Sequence, residues 1–104
     1  MKNTMQEKRA LLEALCVPTI HLNGSDPAQL TDSLVEAYRA LTEACRALNA
    51  CAPHGRDYYP QGPRVTGKAC AQHMARGQKL CDVMDELRVI LDSVYDQLTA
   101  SHGQ

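Results

Sequence analysis

The stretch TGKACAQHMARGQKLCDVMDELRVILDSVYDQLT, residues 66–99, decides the fold. Cys70, His73, Gly77, Leu80, Met84, Leu87, Leu91, Val94 and Leu98 recur at alternating spacings of three and four. Only a long helix brings such positions onto one stripe, and a heptad stripe marks helices packed nearly parallel or antiparallel to one another. A second run obeys the same rule. From Pro27 to about Ala52, Leu30, Leu34, Ala37, Leu41, Ala44, Leu48 and Cys51 form a matching seam. Asp26 suits the N-cap of this helix, with Pro27 at its first position and Gln29 at its third.

Upstream, Thr4 and Glu7 fit a capping box opening a short helix through Leu11, Leu12 and Leu15, which Val17-Pro18 stops. Thr19, Ile20 and Leu22 read as extended, and Asn23-Gly24 as a turn. The expected architecture is all-α and a single domain over 1–104. It comprises a short N-terminal helix (1–17), an extended entry (18–25), a helix (26–52), a functional loop (53–65) and a last helix (66–100). The two long helices would form an antiparallel hairpin that oligomerises through its heptad seams. Two rods of about 40 and 50 Å cannot enclose their own seams, so a dimer or higher oligomer of this chain is expected.

Composition excludes several classes. A chain of 104 residues buries little apolar surface by itself. It has no Trp or Phe and four Tyr, and small apolar side chains favour close helix packing. The net charge of −1 gives no global attraction to nucleic acid, so sequence-specific DNA binding is not expected. No apolar run approaches the roughly 20 residues of a membrane span, and MKNTMQEKR has no secretory character, so a cytoplasmic protein with no membrane association is expected. Cys16, Cys45, Cys51, Cys70 and Cys81 contain no CxxC pair and read as reduced, small hydrophobes.

Chemistry concentrates between the long helices, in CAPHGRDYYPQG (51–62). A connection this long tends to carry function. From His54 to Lys79 the basic residues Arg56, Arg64, Lys68, Arg76 and Lys79 face a single acid, Asp57. From Leu80 to Ala100 the balance reverses, with Asp82, Asp85, Glu86, Asp92 and Asp96 against Arg88. Solubility explains the acidic half. The basic end, with Tyr58 and Tyr59 beside it, also suits a phosphate with an aromatic ring stacked on a base.

Three sharper motifs carry less. GPRVTGKA (62–69) satisfies G-x-x-x-x-G-K, yet Ala69 stands where a phosphate-binding loop needs a Mg²⁺-holding hydroxyl, and no strand precedes it. What remains is a helix N-terminus able to receive an anion between Arg64 and Lys68. Cys51-Ala-Pro-His54 and Cys70-Ala-Gln-His73 make two CxxH pairs, but Cys70 and His73 also belong to the seam, and no metal site is expected. A Cys–His nucleophile or an Asp57–His54 base lacks an oxyanion hole and an orienting third group, so neither an enzyme nor a cofactor is expected.

IHLNGS (20–25) and APHGRDYYPQG (52–62) resemble a group of small bacterial and prophage helical proteins of uncharacterised function. These share an HLNG(T/S) entry, a helix, a P-x-G-R-D-Y-Y-x-Q-G loop and a second helix. The resemblance spans roughly residues 20–98 and leaves out the first helix. Its family-like positions are His21, Asn23, Gly24, Arg56, Asp57, Tyr58, Tyr59, Gln61 and Gly62. In architecture alone the chain is similar to phage sponge proteins that sequester cyclic nucleotide signals.

The expected function is therefore non-enzymatic: a phage- or prophage-type accessory protein in counter-defence. It would hold an anionic, phosphate-bearing nucleotide or nucleotide signal at the loop end of a helical oligomer. The ligand-binding residues would be His21, Asn23, Arg56, Asp57, Tyr58, Tyr59, Gln61, Arg64 and Lys68. His21 and Asn23 would come from a neighbouring chain, because one helix separates HLNG from GRDYY. The alternative is a protein-interaction module that inhibits or adapts a host protein through the same basic, aromatic loop.

Overall fold

A computed structural model describes residues 5–102, and side chains through 100. Thr4, and with it the expected capping box, lies outside the described residues. All regular structure among the described residues is helical: α1 (Met5–Glu13), α2 (Pro27–Asn49), a short α3 (Gly55–Tyr58), a 3₁₀ turn (Tyr59–Gln61) and α4 (Val65–His102). The molecule is a rod of 65 × 27 × 21 Å.

α2 starts where Pro27 presets a helical φ, with Asp26 at the N-cap. The Asp26 carboxyl makes no capping hydrogen bond, contrary to the usual role of that position. At its other end, the amides of Ala50, Cys51 and Ala52 donate to the carbonyls three residues back, so α2 tightens before the chain breaks away.

α2 lies along α4. Leu48 approaches Gly77, Cys45 lies 3.7 Å from Met84 (sulfur to sulfur), and Val35 and Tyr38 reach Leu91 and Tyr95. Numbers on α4 rise as those on α2 fall. The expected α4 seam holds at every position, each residue from Cys70 to Leu98 being buried or half-buried. The α2 seam is corrected. Thr31, Leu34, Tyr38, Leu41, Cys45 and Leu48 face inward, whereas Ala37, Ala44 and Cys51 are exposed. Turning α2 this way buries larger side chains than alanine, which removes more apolar area from water.

The described side chains make a thin core. Leu91, Val94 and Thr31 are its only buried members, and Val94 alone is fully enclosed. The Thr31 hydroxyl donates to the Ala28 carbonyl, 3.0 Å away, so its burial leaves no polar group unmet.

A pair of hydrogen bonds that no local pattern foretells anchors the entry segment. The Gln97 side-chain amide donates to the Pro18 carbonyl at 2.8 Å and accepts from the Ile20 N–H at 2.8 Å. In effect, a side chain replaces one rung of a β-ladder. α1 is tied to the middle of α4 by Lys8, whose Nζ lies 3.1 Å from Asp82 and 2.5 Å from Asp85. These carboxylate hydrogen bonds, Asp85 first, raise the Lys8 pKa. The Asp82 carboxyl is held below its usual range, first by the Gln78 amide and then by Lys8. All five cysteines are free.

Candidate functional site

The segment expected as a loop over 53–65 is a compact helical unit instead, and its sequence explains the change. Pro53 ends α2's continuation, and His54 caps α3: its Nδ1 accepts the Arg56 amide at 3.1 Å, and its carbonyl accepts the Asp57 amide at 3.0 Å. Six residues after His54, Pro60 lies in a turn of 3₁₀ form. Gly62 then reverses direction at φ 122°, ψ 163°, a conformation essentially reserved for glycine. Its amide donates to the Tyr59 carbonyl at 3.0 Å. α3 and the 3₁₀ turn both pack on the first turns of α4, with Gly55 against the Thr66 methyl.

This unit gathers most of the expected site residues at one end of the rod. Arg56, Asp57, Gln61, Arg64 and Lys68 are exposed. Tyr58 is half-buried against the bundle, while Tyr59 is 70% exposed and alone presents an open ring. Among the described residues, the side-chain ion pairs are Lys8–Asp82, Lys8–Asp85, Arg46–Glu43 and Arg88–Asp92. Arg56, Arg64 and Lys68 belong to none of them, so no Arg56–Asp57 bridge fixes the unit.

His21 and Asn23 lie elsewhere. They are exposed in a turn closed by the Gly24 amide on the His21 carbonyl, 3.1 Å apart. The His21 ring folds over Gly24, where a Cβ would sit 3.0 Å from Nε2. Gln97 holds this segment at the far end of α4. The thirty-odd helical residues between Gln97 and Val65 put about 45 Å between the two motifs in one chain. Only a second copy unites them.

The CxxH residues do not converge. Among the described residues, no group of three or more His, Cys, Asp or Glu is placed to share a metal ion. His54 uses its ring to cap α3, the Cys51 thiol donates to the Ala47 carbonyl, and Cys70 and His73 lie on the α4 seam. Two open concavities follow the helices rather than the 53–68 unit. One runs along α2 from Asp26 to Ala40, and the other lies between Val35–Arg39 and Arg88–Tyr95.

Sequence reasoning missed three residues that shape the site: His54, Gly62 and Gln97. Histidine is not a favoured N-cap, so His54 stood out only as a possible metal ligand or base and not as the cap of α3. Gly62 stood within the family-like motif, but its glycine-only backbone could not be told from an ordinary turn. Gln97 acts across nearly the whole chain length and leaves no local signal. No family model, curated protein or solved structure matches the chain.

Proposed function

We propose that this chain is a non-enzymatic, phage-type accessory protein of the cytoplasm. As a helical oligomer it would bind a phosphate-bearing small molecule, a nucleotide or nucleotide signal, at the end carrying α3 and the 3₁₀ turn. One observation carries the reading: Arg56, Arg64 and Lys68 are exposed and engaged by no carboxylate among the described residues, on a unit that also presents Tyr59. The guanidinium fork of Arg56 grips phosphate oxygens in two places, the α4 N-terminus adds amide dipoles, and Tyr59 stacks on a base.

Thermal melts with a panel of nucleotides test this, since a ligand of the folded state raises the melting temperature by mass action. Arg56→Ala and Tyr59→Ala should melt within about 0.5 kcal/mol of wild type yet lose the ligand-induced shift. Arg56→Lys should restore it only in part, and added salt should weaken it.

A second reading, an interaction module for a host protein, is favoured by the shape of the same end. Tyr59 stands proud, and neither concavity reaches it. Arg and Tyr are frequent anchors of protein interfaces. A flat response to every nucleotide, with a host protein captured by wild type and lost with Tyr59→Ala, would decide for it.

A further inference from the structure

The chain exposes far more surface than its mass needs. Its accessible area is 8276 Å², whereas a compact monomer of 11.4 kDa shows about 5,800 Å². Its radius of gyration is 19.0 Å against about 13 Å for a compact chain of this length. The excess, about 2,500 Å² per chain, is enough to supply a homodimer interface, which takes about 1,000–2,500 Å² from each partner.

One face of the rod fits that role. Val35, Tyr38, Arg88, Leu91 and Tyr95 mark one side of the plane through α2 and α4, and this side is rimmed by the charges of Arg39, Arg88 and Asp92. At about 100° per residue, Ala37, Ala40 and Ala44 fall on the opposite side of α2. Leu80, Val83 and Leu87 fall on that same opposite side of α4. The three alanines are exposed, and so is Val83 at 45%. Lys8 holds α1 on the Asp82–Asp85 side of α4, away from this face. Asp32 and Glu36 line the outer rim of the concavity that holds Ala37 and Ala40.

We infer that a second copy of this chain docks antiparallel on the face formed by Ala37, Ala40, Ala44, Leu80, Val83 and Leu87, completing a four-helix bundle. One observation sets the direction. Ser33, Ala37, Ala40, Ala44 and Ala47 on α2, with Cys51 just beyond its end, are exposed and symmetric about Thr42. Antiparallel copies thus place Ala40 opposite Ala44, Ala37 opposite Ala47 and Ser33 opposite Cys51, and small side chains let the axes come close.

Antiparallel docking turns the end of one copy that carries His21 and Asn23 toward the end of the other that carries the Tyr59–Gln61 turn. The dimer face stands independently. The composite site rests on the ligand-binding reading proposed above.

Light scattering should return twice 11.4 kDa for the wild-type chain. Ser33→Cys, in a Cys16→Ser/Cys81→Ser background, should oxidise to a covalent dimer joined between the introduced thiol and Cys51 of the second copy. Ala40→Arg should give single-chain mass. A wild-type mass of one chain, or a dimer that never forms the 33–51 link, overturns the interface. Nucleotide shifts that persist undiminished in monomeric Ala40→Arg overturn the composite site alone. A wild-type dimer without any nucleotide shift overturns the ligand-binding reading and leaves the dimer standing.

Discussion

The two halves of α4 carry different burdens. Its C-terminal half is covered by the N-terminal half of α2 and by the entry segment clamped on Gln97, and it contains Leu91 and Val94, the buried apolar residues of the described chain. Its N-terminal half meets the end of α2, the small α3–3₁₀ unit and, at Asp82, Lys8 of α1; it bears Lys68, Arg76 and Lys79, with Arg64 just before it. Packing energy gathers where the segments converge, and unneutralised charge gathers where they thin out.

Breaking that division at its strongest point should have the largest effect. Val94→Asp places a carboxylate in the one fully enclosed side-chain position, and burying an unpaired charge costs several kcal/mol. Chemical denaturation should show the chain unfolded or nearly so, whereas the same change at exposed Met74 of the basic half should leave stability within about 0.5 kcal/mol of wild type. Equal losses at both sites would erase the contrast.

A smaller effect is expected from Gln97→Ala. It removes both hydrogen bonds to Pro18 and Ile20, each worth about 1 kcal/mol net. Hydrogen exchange should rise across residues 15–25 and stay unchanged across 54–64, because the clamp serves only the acidic end. Exchange that rises equally in both segments would show the ends to be coupled.

The smallest effect concerns α1. The Asp82 pKa is depressed in the folded chain, so its contribution is present above the ordinary value of 3.8 and is lost as pH falls through the lower folded value. The Lys8 pKa is raised, so its contribution is present below 10.5 and is lost as pH rises through the folded value. α1 should therefore stay docked between those limits and loosen beyond them. Both partners are largely solvated, so the change should appear as protease cleavage near Arg9 rather than as global unfolding. Lys8→Ala should reproduce it at neutral pH.

What residue order alone determined is the part that repeats. The heptad of α4, the start of α2 at Asp26-Pro27 and a break before Pro53 are local signals, because helix periodicity and proline geometry act within a few residues; the helix itself ends slightly earlier, at Asn49. The same holds for the clustering of basic residues between 56 and 79, which sequence neighbours must share. Tertiary structure decided the rest. Whether Ala37 or Tyr38 faces α4 depends on which stripe buries more area against a particular partner, and both stripes have the same period. The 53–65 segment became helical because His54 supplies a cap and the first turns of α4 offer a surface to pack on. The separation of HLNG from GRDYY was written in the length of α2, but the anchor that pins HLNG beside the far end of α4 is Gln97, a contact across most of the chain. Contacts between residues distant in sequence leave no period to read, because they exist only once the helices have fixed where each side chain stands.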